Sequence, residues 1–166
     1  YKYLKLKYKY KNKINIYNFA ASDKNKTKKF NVNKHDLTSS LAELNQQNQY
    51  LNIKSKLFGT NLKGMIKNKI TIKTMKLNSL LGKQKIQEID LIKIDTEGHE
   101  LQVLKGLGDK IKIIKVILIE FHNNNTYVGY DSKKIEMILK KNNFQLEKKI
   151  KFPFTTWEDR FYINKK

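Results

Sequence analysis

The order of its patterns predicts an α/β domain with a mostly parallel sheet and an antiparallel finish. Three observations carry this. The apolar run Asp90–Ile94 is followed by a helix-type face, Leu101, Leu104 and Leu107. A second apolar run, Val116 to Phe121, is followed by a helix pattern over Lys133 to Lys141, with Ile135, Ile138 and Leu139 inward. Two more strand patterns, Phe144 to Ile150 and Arg160 to Ile163, then come in succession with no helix between them. Strands alternating with helices form parallel crossovers, and two strands in direct succession close antiparallel.

From the N-terminus, Lys5 to Ile16 alternates lysines with Leu6, Tyr8, Tyr10, Ile14 and Ile16. Period two predicts a strand with one solvated face. Its Ile14 to Phe19 end is apolar enough for a central strand, and the Tyr/Lys portion fits equally well as the end of a helix leading into it. Phe19-Ala20-Ala21-Ser22-Asp23 breaks the strand with small and capping residues. Lys24-Asn25-Lys26 is a polar turn, and Lys29 to Val32 is a short strand. Residues 33–66 have few apolar anchors, with a short helix expected to open at Ser39-Ser40-Leu41-Ala42-Glu43-Leu44 and with His35 solvated in a polar loop. Ile70 to Met75 alternates as a strand, and Leu77 to Leu81 makes a helical turn. Asp90 to Ile94 has few polar positions, as a parallel strand covered on both faces should. Gly106 and Gly108 are expected to end the helix after it. Trp157, Phe152, Phe154 and Phe161 form either satellite packing or a flat aromatic wall for a sugar ring.

A chain of 166 residues suits one domain. It has no cysteine, which excludes disulfides and thiolate metal sites and fits a reducing, cytoplasmic setting. No apolar run is long enough for a membrane span. The formal net charge of +20 invites a nucleic-acid reading. Against it, Arg160 is the only arginine, so the guanidinium forks that read base edges are nearly absent, and the lysines are spread along the whole chain. A basic nucleic-acid-binding domain is therefore the alternative, with no specific nucleic acid expected.

The chemistry concentrates in Ile89-Asp90-Leu91-Ile92-Lys93-Ile94-Asp95-Thr96-Glu97-Gly98-His99-Glu100. A strand ends in three carboxylates and a histidine, where ligands meet α/β sheets and where such crowding is costly unless something is bound. If the backbone stays extended, Asp95, Glu97 and His99 point the same way. Such a trio suits a hard divalent ion, as in a metal-dependent hydrolase, or a hydroxyl substrate beside a general base. Helix capping is the third reading: Asp95 or Thr96 as N-cap, with Glu97 and Glu100 in the first turn. Glu120 and His122 end the next strand, and adjacent parallel strands about 5 Å apart would turn their acidic tips to one crevice.

The run Asp90-Leu91-Ile92-Lys93-Ile94-Asp95-Thr96-Glu97-Gly98-His99-Glu100 with Val103-Leu104-Lys105-Gly106 resembles the signature of the FkbM-type S-adenosylmethionine-dependent methyltransferases. Ile119-Glu120-Phe121-His122 is similar to the family's next strand, Asn18 to Asp23 to the segment after its third strand, and Ser39-Ser40-Leu41 fits as well. The resemblance implies a doubly wound class I methyltransferase sheet with helices on both faces, S-adenosylmethionine as cofactor, and O-methylation of a hydroxyl on a sugar or related small molecule or glycan. It implies Asp95, Glu97 and His99 as catalytic residues, His99 being the base. It places Phe19, Ala20, Asp23 and Asp95 at the cofactor, and Glu100, Glu120 and His122 at the substrate, without requiring a metal. Residues 1–166 would be one partial domain with a variable insertion at 28–76 between the third and fourth strands. No Gly-rich turn and no strand ending in a ribose-binding acid precede Ile14, and the first residue is Tyr1. The first two strands of the sheet are therefore expected to be missing from this chain, which would begin inside a longer gene product and bind the cofactor weakly by itself.

Overall fold

The computed structural model describes residues 1–166 except 35–38, 58, 60, 123, 124, 152 and 154, together with the side chains of 54, 62 and 63. The expectations for His35, Phe152 and Phe154 lie outside the described residues.

Among the described residues the strands form two sheets. In the first, β1 (Ala20–Ala21) runs parallel to β3 (Ile66–Met75), which pairs antiparallel with β2 (Lys26–Asn33). The second has the order β4 (Ile89–Ile94), β5 (Ile114–His122), β7 (Trp157–Asn164), β6 (Phe144–Lys151). Here β4 and β5 are parallel, with Ile94 opposite Ile119, whereas β7 is antiparallel to both β5 and β6. The antiparallel finish is as expected. A mostly parallel sheet is not: antiparallel pairings outnumber parallel ones, because β2 folds back on β3 and β7 inserts between β5 and β6.

The helices are α1 (Lys2–Lys7), α2 (Gln49–Leu57), α3 (Leu62–Met65), α4 (Leu77–Lys83), α5 (Glu100–Leu107) and α6 (Ser132–Lys141). A 3₁₀ turn, Gly108–Ile113, links α5 to β5. The main core gathers Ile114, Ile117, Ile119 and Phe121 of β5 with Leu101, Leu104 and Leu107 of α5 and Ile135 and Leu139 of α6. The sequence spacing in both helices is thus the packing face. Asp131 caps α6 by accepting from the Lys134 backbone N–H at 3.0 Å. A smaller cluster, Leu44, Leu51, Met65 and Tyr127, lies beyond it.

Four local expectations are corrected. Ile14 to Phe19 is not a strand: Ile14 and Tyr17 are exposed, no strand partners them among the described residues, and the extended pairing begins only at Ala20. The Tyr/Lys run instead starts as the exposed helix α1. Ser39 to Leu44 is not a helix, since Ser40 exchanges backbone hydrogen bonds with Asn31 and Leu44 bridges to Tyr127. β4 is not covered on both faces, since Leu91 is 52% exposed and Asp90 reaches out to Lys115, and the strand has the open edge that a chain lacking the first strands should leave. Gly106 does not end α5 but lies inside it, and Gly108 alone, with φ of 51°, is the cap.

Candidate active site

The β4–α5 connection carries the chemistry, and its own hydrogen bonds shape it. Glu97 has a φ of 53° and Gly98 one of 91°, so the chain turns sharply instead of staying extended. A Cβ on Gly98 would run into the Tyr127 ring. Glu100, fully buried in the first turn of α5, returns its Oε1 to the Thr96 backbone N–H and hydroxyl, each at 2.9 Å, and to the Gly98 N–H at 3.2 Å. From the other side the Ser40 hydroxyl donates to the carbonyls of Thr96 and Glu97, at 3.1 and 2.6 Å. Glu100 thus braces the loop before α5 by reaching backward. Neither Asp95 nor Thr96 is the N-cap; that position is His99, with no side-chain cap bond.

This turn separates the three residues that an extended backbone would have aligned. Asp95 ends β4 half-exposed and pairs with Lys93 at 2.8 Å. It lines a cleft of about 200 Å³ with Ala20, Ala21, Phe30, Thr96 and His99. His99 turns to the β1 side, where its Nε2 lies 2.9 Å from the Ser22 hydroxyl. Ser22 donates to Asp23 at 3.0 Å and accepts from Lys28 at 3.3 Å, which leaves His99 Nε2–H as the donor to Ser22. Burial, with Lys28 adding to it and Asp23 opposing, holds the His99 imidazole down to about 4. A hard-ion trio of Asp95, Glu97 and His99 is not assembled among the described residues.

Glu97 goes the other way, to the end of β5. It accepts a short hydrogen bond from the Tyr127 hydroxyl, and its carboxyl, Glu120 and His122 offer ligand atoms within 4.8 Å of one another. The parallel register that sets Ile94 beside Ile119 is what brings the two strand ends together. Burial raises the Glu97 carboxyl and the Tyr127 hydroxyl only partly offsets it. Burial likewise raises the Glu100 carboxyl against its backbone hydrogen bonds. For His122 burial pulls downward, but Glu120, Glu100 and Glu97 outweigh it and hold the imidazole above its ordinary range. The His122 ring is clamped edge-on by Tyr127 and Tyr130, with centroids 4.9 and 5.2 Å away. Beside Glu97 and His122 is a second, smaller cavity of about 80 Å³, walled by Leu51, Met65, Tyr127 and Trp157.

Of the residues expected at the site, Ala20, Asp95 and His99 share the first cleft, and Asp23 anchors Ser22 behind it. Phe19 stacks at a tilt on Tyr17 outside it. Glu97 and His122 line the second, and Glu120 stands beside them in the same cluster. Glu100, expected at the substrate, is fully buried and holds the loop between them. Tyr127, Tyr130, Ser22 and Ser40 were not singled out for the site. Only Ser22 and Ser40 stand in segments the sequence had marked.

Two parallel strands whose carboxyl ends bring carboxylates and an imidazole together are the kind of place at which α/β domains take ligands. The chain belongs to the methyltransferase FkbM domain family, whose model matches residues 2–146. A curated relative, the hexuronic acid methyltransferase AglP of Haloferax volcanii, is 31% identical over 70 residues, or 42% of this chain. The chain spans 27% of that relative's length. No solved structure gives a significant match. No helix among the described residues is long and apolar enough to cross a membrane.

Proposed function

We propose that this chain is the acceptor-side part of an S-adenosylmethionine-dependent O-methyltransferase acting on a hydroxyl of a sugar or related glycan. The observation that carries this reading is the convergence of Glu97, Glu120 and His122 at two adjacent strand ends, with Asp95 lining the other cleft beside the same loop, in a chain of this family.

S-adenosylmethionine supplies an electrophilic methyl group to an attacking oxygen. The cleft of about 200 Å³, with Ala20, Ala21, Phe30 and Leu41 as its apolar walls, fits the adenine end of that cofactor. It is below the roughly 300 Å³ of a pocket for a whole ligand of that size. The chain's own residues then divide the work. Glu97, Glu120 and His122 orient the acceptor in the second cavity, where Trp157 offers a flat face to a sugar ring. Asp95, which lines the first cleft, is the residue we assign as acceptor of the hydroxyl proton. His99 has its Nε2 committed to Ser22 and is held to about 4, so it positions the β1 side of the cleft. Residues 28–76 act as the variable insertion. Tyr50, Leu51 and Met65 from it wall the acceptor cavity and would set which acceptor fits.

The test uses the complete gene product that contains these residues, with methyl-labelled cofactor and a panel of sugars and uronic acids. Label on an acceptor hydroxyl, with Asp95→Asn lowering kcat by roughly 10²- to 10⁴-fold, supports the reading. Label confined to a carboxylate, a protein or a nucleic acid would overturn it.

A further inference from the structure

Three acidic side chains, Glu97, Glu100 and Glu120, gather around the His122 imidazole at the end of β5. Glu97, Glu120 and Glu100 all lie close enough to His122 to act on its imidazole, and no lysine or arginine pairs with any of the three among the described residues. Glu120 and His122 are 6% and 5% exposed. Their Oε2 and Nε2 atoms stand 3.3 Å apart, yet they are not aligned as a hydrogen bond, and neither atom has a hydrogen-bond partner. The second oxygen of Glu100, fully buried, is without one too. Leaving several buried polar atoms unmatched is costly, and a closed cluster of carboxylates with one imidazole is costlier still.

We infer that Glu97, Glu120 and His122 form a binding site for one divalent cation. Two carboxylate oxygens and an imidazole nitrogen are a mixed hard and borderline donor set, suited to Mn²⁺ or Zn²⁺ more than to Ca²⁺. The ligand atoms lie within 4.8 Å of one another. Three ligand atoms around a single ion with bonds of about 2.1 Å stand roughly 3–3.6 Å from one another, so a pair at the upper limit would close by about 1 Å, a shift that rotation of a glutamate side chain supplies. The neighbouring cavity of about 80 Å³ has room for roughly two waters to complete the coordination. The outer contacts are in place: Tyr127 donates to the Glu97 carboxylate, and Tyr127 and Tyr130 fix the plane of the His122 ring. The inference deepens the proposed function, for a cation there would hold the acceptor's oxygens beside Asp95.

The experiment titrates the 166-residue chain with Mn²⁺ alone, without cofactor or acceptor, and follows the free-ion electron paramagnetic resonance signal. One equivalent is expected to bind. Glu120→Gln and His122→Gln should each weaken binding at least 10-fold, while Glu147→Gln, an exposed acid, leaves it unchanged. Circular dichroism shows whether each variant is folded. A readout that needs no variant is electron spin-echo modulation from ¹⁴N on the bound Mn²⁺, which reports an imidazole ligand. That modulation should survive His35→Gln and His99→Gln. No stoichiometric binding of Mn²⁺ or Zn²⁺ to the folded chain, binding without ¹⁴N modulation, or binding indifferent to Glu120→Gln would each overturn the site. Because the readout involves no methyl transfer, failure of the cation site and failure of the methyltransferase reading are separate results.

Discussion

Gly106, inside α5, lies directly against the backbone carbonyl of Ser22, so that a Cβ at 106 would overlap the Ser22 oxygen and stand 2.9 Å from its carbonyl carbon. This approach fastens the helix behind the acidic loop to the segment after β1, and it sets the distance over which His99 reaches Ser22. Gly106→Ala tests it. In an ordinary helix interior the change would gain up to about 1 kcal/mol. Here the obstacle is backbone, which cannot swing aside, and overpacking of this kind costs roughly 1–3 kcal/mol. Net destabilisation by urea denaturation is expected, and a more stable variant would show that the contact is loose.

His99 makes stability pH-dependent. In the unfolded chain a histidine takes its proton near 6.5, whereas the folded site holds His99 to about 4. Between those values the unfolded state binds the extra proton, so stability is lost as the pH falls from 6.5 toward 4. The loss attributable to this residue is at most about 3 kcal/mol. Unfolding free energies of His99→Gln should show a flatter slope over the same window.

Tyr127 and Glu97 are expected to act together. Removing the hydroxyl in Tyr127→Phe leaves a buried carboxylate without its donor, which costs about 1–3 kcal/mol. It should also push the Glu97 carboxyl further up, because burial already raises it. Carbon-detected titration of the glutamate carboxyls reads the shift, and an unchanged Glu97 would count against the contact.

Arg160, the only arginine, is structural. It pairs with Glu158 and Glu136 and stacks on the Phe121 ring at 3.9 Å. Lysine cannot reproduce the fork or the flat stacking surface, so Arg160→Lys should lower the thermal midpoint. If affinity for nucleic acid were lost instead, with the fold intact, the basic-domain alternative would regain ground.

The 166-residue chain by itself should bind S-adenosylmethionine weakly or not at all, because its cleft of about 200 Å³ is below the roughly 300 Å³ of a pocket for a whole ligand of that size. Calorimetric titration checks this directly. Micromolar affinity would mean that the cleft and its surroundings hold the whole cofactor.

The elements of the second half were legible because their burial follows from local spacing. Leu101, Leu104 and Leu107 fall on one helical face whatever they pack against, and the β5 run is apolar along its length. The region before β3 was misjudged because lysine-rich alternation says nothing about whether a partner strand exists, and none pairs with Ile14 to Phe19 among the described residues. The acidic run from Asp95 to Glu100 stood out as the candidate site, but its internal geometry was not legible. That geometry hangs on positive φ at Glu97 and Gly98, on Ser40 from a distant segment and on Tyr127 from the loop after β5.

Sequence alone determined the family, the acids at the strand ends and the helix faces, since each is written in contiguous residues. Tertiary structure alone decided the partition: Asp95 and His99 to one cleft, Glu97 to Glu120 and His122 in another. The physical reason is that a single left-handed turn reverses where alternate side chains point, and only contacts from far along the chain stabilise that turn.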